Sequence, residues 1–581
     1  MKNIKNKNDV IEKVSLRQCL KIFKGMKLPW FLMALTLALS LIGSFLTLNM
    51  AEFSGEVVDA SGNVPVTEMV IYVSSAFIVT LFAGLAQLFM SYAGEKINLK
   101  LRKKLWRKII VTKQSVYDAD GGESLVSRVS QDCDYAIKFF TTSISIIGLI
   151  ATTSIYVIRL FNINVKMASY ILVFIPASIL IGLFYTFLRF VVAQRYQGKM
   201  AKITAYLVER TKDLPLIKTC NCQEKELEEG DGRFKELYKY HLRTGYVQAI
   251  ASAIDTILNI LGIAVPFLVG AAFVQSGVIT IGALIIFNSL FGNIRTSFNN
   301  LIVYAGDFKE ANGALARVTK VFDLEEEDAE AGAALAGEIN EDIAFENVSF
   351  GYTDENMVVR NINCRIPKNK ITAVVGNNGS GKSTIFKMMA RLYDPKSGSI
   401  KFGDKNSADY SLHSWRKKVC LIAQGSPMMA ETIRDNICYG QDEPVSDEKL
   451  LEVAKLSHVY DFVKDLPDGF DTVVAAGGGN FSGGQKQCIA IARAMLSKAD
   501  YLLLDEATSN LDVKREKDVM DAMNALMKNR TTVIIAHSLA TIRNADHVIV
   551  LNNGNLEMEG APSYILQKTD NYLSKLMSRG V

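Results

Sequence analysis

No pair of CxxC motifs occurs in this chain, and its eight cysteines are scattered: Cys19, Cys133, Cys220, Cys222, Cys364, Cys420, Cys438 and Cys488. The Cys220-Asn221-Cys222 spacing is poor for zinc, so all eight read as free thiols facing core or cytoplasm. A large charge excess is missing too. The formal net charge is +5, which makes no case for a nucleic-acid partner. Nothing resembles a cleavable signal peptide; the basic N-terminus (Lys2, Lys5, Lys7, Lys13, Arg17, Lys21, Lys24, Lys27) runs straight into an apolar stretch. The most informative absence is of charge itself, which disappears from several long runs.

Those runs are Leu28–Ala51, Met69–Gly94, Phe139–Ile158, Met167–Leu188 and Thr256–Ile294. A helix needs about 20 apolar residues to cross a bilayer. The last run is broken by Gln275-Ser276-Gly277 and reads as two spans joined by a tight turn. Six spans are therefore expected, about 28–51, 69–94, 139–158, 167–188, 250–274 and 278–304. One buried helix of a soluble protein could mimic one such run, but not five in succession.

Lysine and arginine orient the spans. The connection Glu52–Glu68 carries Glu52, Glu56, Asp59 and Glu68 and no basic residue; Gln275–Gly277 carries no charge, and Arg159–Lys166 is very short. By contrast, the stretch after the second span carries Lys96, Lys100, Arg102, Lys103, Lys104, Arg107 and Lys108. The stretch after the fourth, about Arg189–Tyr246, is also long and charged. Both termini and both long connections are expected in the cytoplasm. The long connections have helical periodicity and few breakers, so the membrane helices should extend beyond the bilayer. Their breaks, Asp118-Ala119-Asp120-Gly121-Gly122 and Leu214-Pro215-Leu216, are either segments presented to another domain or plain hairpin tips.

At 581 residues the chain is too long for one compact domain. Glu325-Glu326-Glu327-Asp328-Ala329-Glu330 and the Ala/Gly stretch to Gly337 read as a solvated linker. Residues 1–324 are thus expected as the membrane domain, 325–338 as linker, and 339–581 as an α/β nucleotide-binding domain.

Gly376, Asn377, Asn378, Gly379, Ser380, Gly381, Lys382, Ser383 and Thr384 follow the apolar run Ile371–Val375 and precede Ile385–Ala390. Strand, glycine loop and helix in that order is the context of a phosphate-binding P-loop. Glycines let backbone N–H groups turn inward around phosphate oxygens, and the helix N-terminus adds partial positive charge. Lys382 can reach the β- and γ-phosphates, and the Ser383 hydroxyl can ligate Mg²⁺. Further on, the apolar strand Tyr501–Leu504 ends in Asp505 and Glu506. Asp505 can hold Mg²⁺ through its water shell, and Glu506 can orient and deprotonate an attacking water.

Phe481, Ser482, Gly483, Gly484 and Gln485 then open a helix running through Ala494. Together these segments resemble the ATP-binding-cassette (ABC) ATPases, whose signature is Leu-Ser-Gly-Gly-Gln. Six spans followed by one cassette resemble an exporter-fold ABC half-transporter, over essentially the whole chain. The resemblance implies an all-α membrane domain of six transmembrane helices with long cytoplasmic extensions, then an α/β P-loop ABC ATPase domain.

By resemblance, Tyr352 stacks on adenine, Gln424 senses Mg²⁺, His537 is the switch histidine contacting the γ-phosphate, and Ser509 to Asp512 form a dimer-contact loop. Ser482 and Gly484 would bind ATP held by a second subunit's P-loop, so one cassette is half of each of two sites. The breaks near Gly121 and Pro215 resemble coupling helices, and Gly122–Arg128 the segment that follows the first.

ATP and Mg²⁺ are the implied cofactors. A second half-transporter, the lipid bilayer and an unidentified substrate are the implied partners, in a cell membrane. The chain departs from the family pattern at Phe481, in place of Leu, and at Ala476, where exporters usually place a glutamate that contacts coupling helices. Lys382, Gln424, Asp505, Glu506 and His537 all match the catalytic pattern. A homodimer is favoured modestly over one half of a heterodimer. Export is the family default, and an exporter-fold importer, of a siderophore for example, is the alternative. The spans argue against a soluble DNA-repair or translation ATPase. No regulatory or leader-peptidase domain is expected. Asp255 and Arg295 fall in the fifth and sixth spans and are candidates for the translocation path, as a pair or as lining; the alternative is that they are solvated at an interface.

Overall fold

The computed structural model describes residues 21–60, 65–120, 122–172, 174–334, 341–353, 355–505, 513–536 and 539–567. They form two compact units. The first joins Met1–Ile110 to Glu123–Asp323; the second joins Val111–Gly122 to Leu324–Val581.

The first unit is helical. Its long elements are α1 (Trp30–Asp59), α2 (Val66–Ile110), α3 (Cys133–Ile163), α4 (Phe174–Lys212), α5 (Gln223–Gln275) and α6 (Ile281–Phe322). Among the described residues four helices are long and apolar enough to cross a membrane: α1, α2, Leu125–Ile163 (which contains α3) and α5. The fourth expected span, 167–188, falls on a short helix (Val165–Leu172) and on α4, and the sixth on α6; these are helical but not among those four. Many large apolar side chains point outward, among them Phe31, Phe77 and Leu268, as lipid-facing residues would.

Lipid does not drive helices together as water does, so close packing has to come from small residues. A Cβ on Gly282 of α6 would lie 2.1 Å from the Gly55 carbonyl oxygen of α1. Beside that approach Asp59 accepts from the Gly282 amide (2.7 Å) and from the Thr280 hydroxyl (2.6 Å), capping the start of α6. Leu160 of α3 and Phe287, Leu290, Phe291 and Ile294 of α6 pack in one buried cluster. Beyond the apolar stretches, ion pairs take over. Asp132 accepts from both Nε and Nη2 of Arg317, and Asp134 from Arg102 and Asn98.

The second unit holds two sheets. One is antiparallel, in the order β2-β1-β4-β5, built from β1 (Ile343–Phe350), β2 (Val359–Ile366), β4 (Ser397–Phe402) and β5 (Lys405–Asn406). The other has the order β10-β9-β3-β8-β7-β6. Its strands are β3 (Ile371–Gly376), β6 (Val419–Ile422), β7 (Tyr501–Leu504), β8 (Thr531–Ile535), β9 (His547–Asn552) and β10 (Asn555–Gly560). All its pairings are parallel except that of the edge strand β10. Every residue of β7 and β8 is buried. That is why their apolar residues, Tyr501–Leu504 and Val533–Ile535, come consecutively rather than alternating.

The break after α2 belongs to this second unit. Thr112 bridges to Glu326, Glu327 N–H donates to the Val111 carbonyl (2.7 Å), and Lys113 N–H to that of Glu325 (3.1 Å). The other break, a short helix over Leu214–Thr219, belongs to the first unit.

Candidate nucleotide site

The P-loop leaves the sheet at the end of β3, between β8 and β9. Strand order reverses around β3, and ligands of open α/β sheets bind at such a switch point. Gly381 has φ +98°, and a Cβ there would lie 2.9 Å from Val359 Cγ2, so the position demands glycine. Lys382, Ser383 and Thr384 open α7 (Lys382–Met389). The Lys382 ammonium folds back over the loop, donating to the carbonyls of Gly376 (2.9 Å) and Asn377 (3.0 Å). Ser380 is buried, and its Oγ makes no hydrogen bond among the described residues.

Three more motif-bearing strands end at the same edge. Ile422 pairs with Leu504, Leu504 with Ile534, and Val374 with Ile535. Gln424 lies two residues beyond β6, and Asp505 directly follows β7, its amide donating to the Ile422 carbonyl at 3.0 Å. Glu506 and His537 follow β7 and β8 in sequence; they lie outside the described residues, as do Ser509 and Asp512.

Tyr352 stands half-exposed at the mouth of this unit. Its ring meets Phe350 and Tyr393 edge-on, at 5.2 and 5.4 Å between centroids. Its hydroxyl lies 3.3 Å from Thr384 Oγ1, and the Lys387 ammonium sits 5.3 Å from its ring centre. The P-loop helix thus steadies the ring from two sides.

Ser482 caps the 14-residue helix α8 (Gly483–Leu496). Its Oγ accepts from Gln485 N–H (3.3 Å), and Gln485 Oε1 accepts from Ser482 N–H (2.9 Å). This reciprocal box leaves Ser482 and Gly483 exposed at the helix N-terminus, with Gly484 buried. Phe481, in place of leucine, packs 6.1 Å from the ring of Phe462. The segment without the family glutamate makes a tight turn over Ala476–Gly478, closed by Asn480, whose side chain accepts from Ala475 N–H (2.9 Å) and donates to the Val473 carbonyl (3.0 Å).

One residue, Tyr393, escaped the sequence reading. The Tyr393 hydroxyl donates to the Asp118 carboxylate, tying the segment after α2 to the end of the P-loop helix. Burial, and then that bond, push the Tyr393 hydroxyl well above its ordinary range, so it remains a donor at neutral pH. The clue lay in Asp118, within the flagged break. In the membrane unit, Asp255 and Arg295 are not brought together. The Arg295 guanidinium donates to the carbonyls of Asn259 (2.9 Å) and Leu258 (3.5 Å) on α5.

The site fits a nucleotide triphosphate. It offers a buried hydroxyl at Ser380 that has no hydrogen-bond partner among the described residues, an ammonium folded over a glycine loop, and a helix N-terminus. Ser383, Gln424 and Asp505 supply hard oxygen donors, as Mg²⁺ requires. Among the described residues no group of three or more His, Cys, Asp and Glu could hold a metal ion.

A helical membrane unit joined to a P-loop unit with a capped Ser-Gly-Gly-Gln helix defines an ATP-hydrolysing membrane transporter. Residues 359–509 match the family described as ABC transporter, and residues 30–298 the ABC transporter transmembrane region. An ATP-dependent lipid A-core flippase of Syntrophus aciditrophicus is 30% identical over 488 residues, covering 84% of this chain and 81% of that one. A multidrug resistance ABC transporter ATP-binding and permease protein of Lactococcus lactis is 26% identical over 560 residues, covering 95% and 93%. The chain belongs to the ABC transporter family, with a transmembrane region and an ATP-binding region in one polypeptide.

Proposed function

We propose that this chain is one half of a dimeric ABC exporter that alternates between inward- and outward-facing states. Six spans carry the substrate path, with the termini and the ATP-binding unit in the cytoplasm. Each P-loop holds ATP through Lys382 and the loop amides, with Tyr352 against adenine. Ser383, Gln424 and Asp505 hold Mg²⁺, which neutralises phosphate charge when bound. Glu506 orients and deprotonates water, and His537 reads the γ-phosphate. The second subunit presents Ser482 and Gly484 to the same nucleotide, with Ser509 and Asp512 at the dimer contact. A homodimer is favoured because this chain carries every catalytic side chain the cycle needs. Purification of the chain alone as an active dimer tests that part.

One observation carries the reading. β3, β8, β7 and β6 lie side by side and parallel, and the P-loop, His537, the Asp505-Glu506 pair and Gln424 each follow one of them. Four motifs spread over some 160 residues of sequence are thereby led to one edge of one sheet. Glu506→Gln tests it: ATP binding should persist while steady-state hydrolysis falls at least 100-fold, as expected on losing a general base. Near-wild-type hydrolysis would overturn the assignment.

A further inference from the structure

Just before α1 the chain folds into a short basic turn against α2. Ile22 and Phe23 are buried, and the Phe23 ring meets Phe140 of α3 edge-on, at 4.6 Å between centroids. Gly25 turns the backbone at φ +84°, and Met26 N–H donates to the Phe23 carbonyl (3.0 Å). Lys21, Lys24 and Lys27 are left exposed, as is Trp30, which opens α1.

Two lysines of α2 hold this turn. Lys100 donates to the Lys27 carbonyl, and Lys104 to that of Ile22 (2.7 Å). Lys103, between them, is exposed. Lysines of the turn and of α2 are thus gathered where the apolar stretches of both helices end. No acid balances them locally: residues 13–51 and 96–117 contain neither Asp nor Glu. Asp134, at the near end of α3, is already taken by Arg102 (2.6 Å) and Asn98 (2.9 Å). Among the described residues none of Lys21, Lys24, Lys27, Lys100, Lys103 and Lys104 has a carboxylate partner. Like charges gathered without counter-ions repel. Orienting a span requires only that lysines lie to one side of it. It does not require two of them to spend donors on holding a lysine-bearing turn at the same level.

We infer that this turn and α2 together bind the headgroup of an anionic phospholipid at the bilayer edge. Lysine clusters adjoining a span attract such headgroups. An ammonium has three protons, so Lys100 and Lys104 each keep two for a phosphate after holding the turn, and charge-assisted bonds of this kind are the strong ones. Trp30 sets an amphipathic ring at the depth where headgroups lie. A zwitterionic headgroup brings its own cation, which the lysines repel, so the site selects for net negative charge. The inference needs only that α1 and α2 cross the bilayer; it is independent of the transported substrate and of the direction of transport.

Trp30 supplies the reporter. The chain has three tryptophans; Trp415 is fully buried in the second unit, and Trp106→Phe removes the other exposed one. The full-length Trp106→Phe chain is placed in nanodiscs containing phosphatidylglycerol or phosphatidylcholine brominated on the acyl chains, and quenching of Trp30 gives the relative affinity for each lipid. Phosphatidylglycerol should be favoured at least three-fold. Raising salt from about 0.05 M to about 0.5 M should shrink that preference toward one, because the screening length falls several-fold. In the same background Lys21→Gln/Lys24→Gln/Lys27→Gln should abolish the preference, and Lys21→Arg/Lys24→Arg/Lys27→Arg should keep it. Equal quenching by the two lipids, a preference that salt leaves unchanged, or one that survives the glutamine triple variant would overturn the inference. So would its loss in the arginine variant, where the charge is retained. The salt titration needs neither triple variant and decides the matter even if both fail to fold.

Discussion

The Tyr393 hydroxyl donates to the carboxylate of Asp118, a residue 275 positions earlier in the chain. Tyr393 is also the edge support for Tyr352, so one side chain touches both the Tyr352 ring, proposed to meet adenine, and the segment that follows α2. The two roles separate by substitution. Tyr393→Phe keeps the ring and loses only the hydrogen bond. ATP affinity should stay within about two-fold of wild type, while the second unit loses roughly 1.5–3 kcal/mol, the range for hydrogen bonds to charged groups. Tyr393→Ala removes the ring support as well and should weaken ATP binding. Nucleotide titration and denaturant unfolding of both variants check this; equal ATP affinity in both would show that Tyr393 does not hold Tyr352.

The nucleotide loop was legible because its chemistry is local. Gly376 to Thr384 carry glycines, lysine and hydroxyls in consecutive positions, and the flanking strand and helix are equally local. The start of α8 was legible for the same reason, since Phe481 to Gln485 are consecutive; the structure adds the Ser482–Gln485 box. The Asp118–Tyr393 and Asp59–Thr280 bonds were not, because each joins residues more than 200 positions apart. No periodicity or composition encodes such a pairing; it follows only once helices and sheets have packed. Of the two readings offered for Asp255 and Arg295, a pair or a lining of the path, the pair is absent among the described residues for a related reason. Similar depth along two helices says nothing about facing, and backbone carbonyls of α5 were nearer to the guanidinium.

Ser482 has two jobs, capping α8 and, on the proposed reading, meeting the partner's nucleotide. Gln485→Ala breaks one arm of the capping box and should cost about 1 kcal/mol of stability or less, with a modest fall in ATP hydrolysis. Ser482→Ala should destabilise comparably but reduce hydrolysis at least ten-fold more. Matched thermal melts and hydrolysis rates decide it. Equal losses of activity in the two variants would reduce Ser482 to a cap.

Gly55 and Gly282 allow α1 and α6 to touch backbone to backbone. Gly282→Val would place carbon where the Gly55 carbonyl oxygen and the Asp59 carboxylate now sit, within 2.1 and 2.5 Å. Helices cannot yield there without losing the Asp59 cap, so a loss of roughly 1–3 kcal/mol or more is expected, as for overpacked interiors. Asp59→Ala, which removes the bond to the Gly282 amide but leaves the Thr280 cap on Ala283 and the fit, should lose about 1 kcal/mol. Thermal unfolding in nanodiscs should rank them in that order; a Gly282→Val protein as stable as wild type would contradict the close approach.

His547 begins β9 with its Nε2 buried and unbonded among the described residues, 4.0 Å from the Glu559 carboxylate. Burial depresses its pKa below the ordinary value of about 6.5 and outweighs the attraction of Glu559. In the unfolded chain the imidazole takes up a proton near that ordinary value; in the fold it resists until lower pH. The unfolded state therefore binds more protons in that window, and stability rises with pH through it. Stability is fully present above about pH 6.5 and declines as pH falls toward the folded pKa, by about 1.4 kcal/mol for each unit of depression. His547→Gln cannot titrate and should flatten this part of the profile between about pH 7.5 and 5.5, leaving only the carboxylate-driven loss at lower pH. Denaturant unfolding of the two proteins across that range measures the difference directly. Parallel profiles would mean that the buried ring gains a proton as readily in the fold as in water, against the closed surroundings that its position in the sheet implies.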